Sequence, residues 1–238
     1  MIVGRALLVA LAILVADTLS ANESTIVAFS SLAPGAALPA QWKPLVFKDT
    51  TPTAYALVRD GETTVLRGEA RASASGLTFR FDPPLGGLHR LRWRWKAGAL
   101  PADADTRRRE SDDAVARVYV TFAMPPSRQT TPQRMRDAMM KALYGEAPPH
   151  ATLLYVWDTR APVGARFANP YTDRVHNVVV ESGAMRVGQW IDYERDVAAD
   201  YLAVFGEPAP PISGVAVMTD ADNTRDRSIA LFGDVSLR

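Results

Sequence analysis

The stretch MTDADNTRDRS near the end of the chain concentrates carboxylate, amide and hydroxyl side chains between two apolar runs. Asp220, Asp222 and Asn223 carry the oxygen ligands that calcium prefers. An EF-hand loop that began at Asp220 would need Gly at its sixth position and Glu at its twelfth, where this chain has Arg225 and Leu231. We therefore predict a strand-to-strand turn whose Asp220 faces a groove, with no metal or other cofactor, and keep calcium in another geometry as the alternative.

A second polar set surrounds the alternating stretch AVARVYVTF. Asp113 stands at the entry to this predicted strand, and Arg117 and Tyr119 follow on one face, since residues two apart on a strand lie about 7 Å apart on the same side. Arginine offers a rigid fork of donors and tyrosine a flat ring with a hydroxyl. These groups suit a sugar or a carboxylate. The alternative is a solvated surface pair between Asp113 and Arg117, worth under about 1 kcal/mol.

The polar loop that follows the predicted strand TLLYVWD supplies further candidates. Loops at the ends of a sandwich often carry binding residues, and here they include Asn169, Tyr171 and Arg174. Trp157 shares a predicted strand face with Tyr155 and offers a flat ring. The predicted ligand-binding residues are Asp113, Arg117, Tyr119, Trp157, Asn169, Arg174, Asp220, Asp222 and Asn223.

The sequence assigns no catalytic residue. Its three histidines lack metal-ligand spacing, and it has no nucleophile elbow, phosphate-binding loop or dinucleotide fingerprint. A glycosidase needs two carboxyl groups about 5–10 Å apart. Asp113, Glu194 and Asp220 are candidate acids, but the sequence does not fix the distances between them. A lyase would need a base such as Tyr119 and a cation such as Arg117. Whether the protein is an enzyme stays open at this point.

Alternating apolar and polar residues mark most of the chain as half-buried strands. The segments with strand alternation or composition are GLTFRF, LRWRWK, AVARVYVTFA, TLLYVWD, HNVVVES, SGVAVM and SIALFGDVSL. Many short strands separated by turn residues predict a mostly β protein, a jelly-roll-like antiparallel β-sandwich with one or two short helices. The segment TTPQRMRDAMMKALYG has helical spacing, with Thr131 as its cap and Gly145 at its end, and residues 197–206 form a second candidate helix.

The N-terminal stretch has the layout of a secretory signal peptide, with Arg5, an apolar run and then small residues. We predict a signal peptide over residues 1–21 and a single periplasmic or secreted domain over residues 22–238. No membrane span is expected after cleavage, because the apolar run is shorter than the roughly 20 residues of a spanning helix. The chain has no cysteine, and its 27 basic against 26 acidic residues argue against a nucleic-acid partner.

Several of these segments together resemble a known family. LRWRWK, DDAVARVYVTF, YVWDTRAPVGARFANPYTDR, RDVAADYLAVFGE, VAVMTDADNT and the closing FGDVSL are similar to the bacterial exported proteins of domain-of-unknown-function family 3047. The resemblance runs from about Phe29 to the C-terminus. It implies an exported single domain and brings no established activity. The strand pattern is also similar, at the level of the fold, to jelly-roll carbohydrate-binding and lectin-like domains.

Three hypotheses about function follow, and we favour the first. It is a non-catalytic sandwich that binds a glycan or another polymer of the cell envelope, since sugar sites combine flat aromatic faces with a few fixed polar groups. The alternative is a polysaccharide lyase or glycoside hydrolase acting on such a polymer. A structural partner in the periplasm is the third hypothesis, but the sequence contains no feature that points to a protein partner.

Overall fold

The computed structural model describes residues 24–87, 89–144 and 149–238. The predicted signal peptide, residues 1–21, lies outside the described residues. Two sheets, two α-helices and three short 3₁₀ helices make up the regular structure of these ranges, which confirms the mostly β sandwich. Across the same ranges, no helix combines the length and the apolar character that a membrane span requires.

The strands of the described residues are, in chain order, β1 (Ser24–Val27), β2 (Lys43–Val46), β3 (Ala54–Asp60), β4 (Thr63–Arg71), β5 (Ala74–Leu85), β6 (Arg90–Ala99), β7 (Ala116–Phe122), β8 (Ala151–Asp158), β9 (Arg166–Asn169), β10 (Thr172–Ser182), β11 (Ile191–Asp196), β12 (Ile212–Asp220) and β13 (Arg227–Leu237). The helices are α1 (Thr131–Tyr144) and α2 (Val197–Phe205). The first sheet has the order β11-β6-β13-β4-β3, with β1 also paired to β13. The second sheet has the order β2-β5-β12-β7-β8-β10-β9.

The pairing departs from the predicted antiparallel pattern at one place. Strands β8 and β10 run parallel, with Leu154 opposite Asn177, whereas the other pairs in the described residues are antiparallel. The short strand β9 lies between them in the chain and pairs antiparallel with the far side of β10. Because β9 takes up the chain reversal, β10 returns to β8 in the same direction as β8.

The core lies between the two sheets and follows the alternation seen in the sequence. Leu91, Trp93 and Trp95 of β6 face inward from the first sheet and are buried. The rings of Trp93 and Tyr155 stack across the interface with their centroids 5.1 Å apart. Val118 is one of the inward residues of β7. Since Val118 alternates with its strand neighbours, Arg117 and Tyr119 point to the opposite, outer face.

Trp157 is also a core residue, which corrects its prediction as a ligand-binding residue. Its side chain is 0% exposed. Its ring centroid lies 6.3 Å from that of Trp95, and its indole nitrogen donates to the carbonyl of Gly183 at 3.0 Å. Every residue of β8 is buried, so the apolar pattern of this strand did not show which face it turns toward the core. Tyr155 faces the core, and Trp157 faces the core as well because residues two apart on a strand lie on the same face.

Both predicted helices form. The residue that caps α1 is Thr130, one position before the predicted Thr131: the Thr130 amide donates to Gln133 Oε1 at 2.8 Å, and the Gln133 amide donates to Thr130 Oγ1 at 3.4 Å. This reciprocal arrangement is a capping box. The predicted end at Gly145 lies outside the described residues. Helix α2 begins after Asp196, whose side chain accepts from the Ala199 amide at 3.0 Å.

Candidate functional site

The outer face of the second sheet carries the candidate site. In the register of β12, β7 and β8, Met218 lies beside Arg117, and Ala216, Tyr119 and Leu154 form the next row. Loops around this floor enclose a hollow of about 430 Å³, which we call the outer pocket. The outer pocket is lined by Phe47, Thr50, Ala74, Asp112, Arg117, Tyr119, Leu154, Asn169, Tyr171, Val175, Met218, Asp220, Asp222 and Asn223.

Arg117 lies at the floor of the outer pocket and is 2% exposed. Its Nε donates to Asp220 Oδ1 at 3.1 Å, and its Nη2 donates to Asp220 Oδ2 at 2.9 Å. The same Nη2 donates to Asp112 Oδ1 at 3.0 Å and to the Asp112 carbonyl at 2.6 Å. A buried charge needs such partners, since burying it alone is costly. Arg117 therefore holds two carboxyl groups in place through its Nε and Nη2 donors.

The carboxyl groups around Arg117 hold protons at unusually high pH. Burial raises the pKa of Asp220 to about 8; Arg117 opposes this effect, and the charges of Asp113 and Asp112 add to it. Burial also raises the pKa of Asp112 and of Asp222, the latter with a further contribution from Asp113. Burial alone would lower the pKa of Arg117, but the charges of Asp220 and Asp112 outweigh it and raise that pKa. The guanidinium thus stays charged while the surrounding carboxyl groups titrate.

The polar stretch after β12 is a turn whose backbone is held by hydrogen bonds to Asp113. Asp113 is fully buried, and its Oδ1 accepts from the Asn223 amide at 3.1 Å. Its Oδ2 accepts from the amide and the hydroxyl of Thr224 at 2.6 and 2.5 Å. These contacts confirm the interpretation of the stretch as a connector between strands. They also place Asp113 beneath the outer pocket and not in it, which corrects its prediction as a ligand-binding residue.

The same residues form the acidic cluster on which the calcium alternative rested. One oxygen from each of Asp113, Asp220 and Asp222 lies within 4.8 Å of the others. Calcium takes six to eight oxygen ligands. Here both oxygens of Asp113 accept from backbone amides of the turn. Both oxygens of Asp220 accept from Arg117, and Asp220 Oδ1 also accepts from the Ala114 amide. Asp113 and Asp220 therefore already accept hydrogen bonds from protein donors, and calcium would have to compete with these donors.

Two aromatic side chains stand at the rim of the outer pocket. Tyr171 is 52% exposed and Phe47 is 41% exposed. The Tyr171 hydroxyl donates to the Arg109 carbonyl at 2.9 Å and accepts from Asn223 Nδ2 at 3.3 Å. The Arg109 guanidinium lies 5.2 Å from the centroid of the Tyr171 ring. Asn169 supports the same rim, since its Oδ1 accepts from the Tyr171 amide at 3.1 Å. The contacts thus tie three loops into one rigid rim.

The structure brings most of the predicted ligand-binding residues together. Those that line the outer pocket are Arg117, Tyr119, Asn169, Asp220, Asp222 and Asn223. Arg174 does not: it lines a separate hollow beside Arg136 and His150. Its neighbour Val175 is the residue of β10 that lines the outer pocket, and adjacent residues of a strand point to opposite sides.

Sequence reasoning missed some residues of the outer pocket. Phe47 follows the edge strand β2, which reaches the pocket only because β2 pairs with β5. Asp112 was passed over in favour of its neighbour Asp113. Its backbone has φ −73° and ψ 57°, outside the extended region. Strand alternation therefore could not be extended backwards from Arg117 to this position.

Comparison with known proteins adds a family. The sequence model of the family described as "Protein of unknown function (DUF3047)" matches residues 40–236. No curated protein matches the chain.

Comparison with solved structures finds proteins of low similarity. The family 11 carbohydrate-binding module of the cellulase Lic26A-Cel5E of Clostridium thermocellum is 7% identical with a TM-score of 0.44, over 90% of this chain and 93% of that chain. The K3 adhesin domain of Lys-gingipain from Porphyromonas gingivalis is 9% identical with a TM-score of 0.41, over 90% and 99%. Endoglucanase 3 of Trichoderma harzianum is 8% identical with a TM-score of 0.38, over 85% and 99%. At these values the similarities carry no information about ligand or activity.

Proposed function

We infer that this chain, which belongs to the DUF3047 family, binds a glycan or another cell-envelope polymer in the outer pocket without catalysing its cleavage. One observation carries the proposal: Tyr171 and Phe47 expose their rings at the rim of a hollow that also holds fixed amide and carboxyl groups. Large apolar side chains are usually buried. Aromatic rings that stay exposed beside convergent polar groups are typical of a sugar site, because a sugar has apolar C–H faces and hydroxyl edges.

The polar groups of the outer pocket suit hydroxyl recognition. Asn169 offers its second amide N–H, Asn223 offers its amide oxygen, and Asp222 offers a carboxyl group. Their positions are set before any ligand arrives, because Asn169 Nδ2 donates to Asp112 Oδ2 at 3.1 Å and Asn223 Nδ2 donates to the Arg109 carbonyl at 2.9 Å. Fixed groups lose little conformational entropy on binding. The rim contacts therefore favour binding by a preformed surface.

The floor of the outer pocket favours binding over lyase chemistry. A lyase needs a base and a free cation near the uronate. Arg117 already gives its Nε and Nη2 donors to Asp220 and Asp112. The Tyr119 hydroxyl donates to Met218 Sδ at 3.0 Å, and burial raises the pKa of Tyr119 above its ordinary value. Tyr119 is therefore not poised to abstract a proton, and the geometry favours non-catalytic binding over lyase chemistry.

The test is calorimetry of the purified chain against cell-wall and exopolysaccharide oligosaccharides, with Tyr171→Ala and Phe47→Ala as variants. Stacking contributes about 0.5–1.5 kcal/mol per aromatic contact, so each variant should weaken binding roughly 2- to 12-fold. Met185→Ala is the matched control, since Met185 is 92% exposed and lies outside the outer pocket. The proposal fails if no oligosaccharide binds, or if Tyr171→Ala and Met185→Ala bind alike.

We also propose that the domain acts outside the cytoplasm, on the strength of the N-terminal apolar run that follows Arg5. Expression of the full chain in a bacterial host should yield a periplasmic or secreted protein that has lost about its first 21 residues, the length of the predicted signal. Mass spectrometry of the intact protein measures this directly. An uncleaved chain retained in the cytoplasm would contradict the proposed location.

A further inference from the structure

We propose that the outer pocket selects glycans that carry protonated amino groups, such as a polymer of de-N-acetylated hexosamine, over neutral and acidic glycans. This inference rests on the proposed function and deepens it by naming the class of sugar. It is carried by the placement of charge around the pocket and by the aromatic rim.

The described side chains around the outer pocket carry more negative than positive groups. Asp112, Asp220 and Asp222 line the pocket, and Asp113 lies directly beneath them. The cations are Arg117 on the floor and Arg109 at the rim, where its guanidinium lies over the Tyr171 ring. Four carboxyl groups lie beside two guanidinium groups, and an entering cation favours the ionised form of the three carboxyl groups whose pKa is raised, Asp112, Asp220 and Asp222. An entering cation is therefore attracted, and an entering carboxylate is repelled.

The charge of Arg117 is already shared between two carboxyl groups. Its Nε and Nη2 contact Asp220 and Asp112 at 2.9–3.1 Å, and all three side chains are buried. Drawing the guanidinium away from either partner would leave a buried carboxyl group without its donor, which is strongly unfavourable. A uronate would therefore meet a guanidinium that is already paired, unlike the arginine of a uronate site that is free to form a bidentate contact.

Asp222 is the carboxyl group best placed to meet an ammonium. It is partly exposed in the outer pocket, and its own neighbour is another carboxyl group, Asp113. Burial and the charge of Asp113 raise the pKa of Asp222. An ammonium brings three donors and a positive charge, so it would give Asp222 hydrogen-bond donors and a counterion. Binding would then release a proton from the carboxyl cluster.

The rim provides a second, independent feature that suits a cation. The ring of Tyr171 already has a guanidinium 5.2 Å from its centroid, on the side of Arg109. A cation over an aromatic face is attracted by the ring quadrupole. The exposed ring of Phe47 lines the same pocket. Because Arg109 already lies over Tyr171, we expect the ammonium of a bound sugar to contact the exposed ring of Phe47.

The test compares three hexasaccharides of equal length by calorimetry on the full mature chain: glucosamine, N-acetylglucosamine and galacturonate. The glucosamine hexamer should bind at least tenfold more tightly than its acetylated form at a pH where its amino groups are protonated. This difference should shrink as salt is added, because salt screens exposed charges. The released proton is taken up by the buffer, so the observed binding enthalpy should change with the ionisation enthalpy of the buffer.

Asp222→Asn should reduce the preference for glucosamine over N-acetylglucosamine by weakening the first more than the second. Asp103→Asn is the control, since Asp103 has a side chain 87% exposed and does not line the outer pocket. Circular dichroism checks that both variants fold. Equal or tighter binding of the acetylated or the acidic hexamer would overturn the inference and leave the proposed function standing. Absence of binding to every glycan tested would instead defeat the proposed function.

Discussion

At the scale of single residues, the central feature is a buried arginine that is shared between two carboxyl groups. Arg117 contacts Asp220 and Asp112 and thereby ties β7 to β12 and to the loop before β7. The sequence predicted Arg117 and Asp220 as members of one site, because alternation along β7 and the end of β12 both pointed to a shared face. It did not predict that they contact each other, since a strand pattern gives a face but no partner across strands.

Arg117→Met should destabilise the fold by about 3–5 kcal/mol, because it removes the guanidinium that donates to the buried carboxyl groups of Asp220 and Asp112. Arg108→Met is the matched control, since Arg108 pairs with Glu110 on the surface, where both side chains are 64% exposed. Surface pairs contribute little, so this control should unfold like the wild type. Urea unfolding followed by tryptophan fluorescence measures both. A loss in Arg117→Met no larger than in the control would show that the ion pairs do not stabilise the fold.

Asp220 predicts how stability depends on pH. Its pKa is raised from 3.8 to about 8 in the folded chain, so the folded state keeps a proton that the unfolded state has released. The contribution to stability is fully present below pH 3.8 and is lost as pH rises towards about 8.

The free energy of unfolding, measured in urea, should therefore include a contribution that falls as pH rises from 5 to 8. Asp220→Asn should remove this contribution. Asparagine keeps an oxygen that can accept from Arg117, but its side chain does not titrate. Identical pH profiles for the wild type and Asp220→Asn would contradict this assignment.

At the scale of elements, the site depends on loops fastened to the ends of regular strands. Alternation correctly assigned the inward faces of β6 and β7, since both strands have one polar face. It failed for Trp157, because β8 is buried on both faces, and for Asp113, because the backbone turns before β7 begins. Phe47 could not be predicted, since it enters the pocket through a pairing of β2 with β5 that no local pattern encodes.

Asp113→Ala should release the turn after β12, because it removes the acceptor of the Asn223 and Thr224 amides. We expect amide hydrogen exchange to accelerate at these two residues, and the fold to lose about 1–3 kcal/mol from the donors left unpaired. Asp103→Ala, at an exposed position, serves as control. Unchanged exchange at Asn223 and Thr224 in Asp113→Ala would show that the turn holds itself.

At the scale of the whole molecule, the two faces of the second sheet have separate tasks. The inner face closes the core through contacts such as Trp93 on Tyr155. The outer face leaves a hollow of about 430 Å³ between loops that come from distant parts of the chain. The sandwich class was predictable from alternation, but the seven predicted segments cover only seven of the thirteen strands in the described residues. The parallel pair β8–β10 was not predictable, because a short strand such as β9 resembles a loop in sequence.

The account stands on the claim that the outer pocket is where a glycan binds. Crystals of the mature chain grown with the tightest-binding oligosaccharide test this claim most directly. We predict sugar density in the outer pocket, with one ring against Tyr171 or Phe47 and a polar group within hydrogen-bond distance of Asp222. A sugar bound on the outer face of the first sheet, with the outer pocket filled only by solvent, would contradict it.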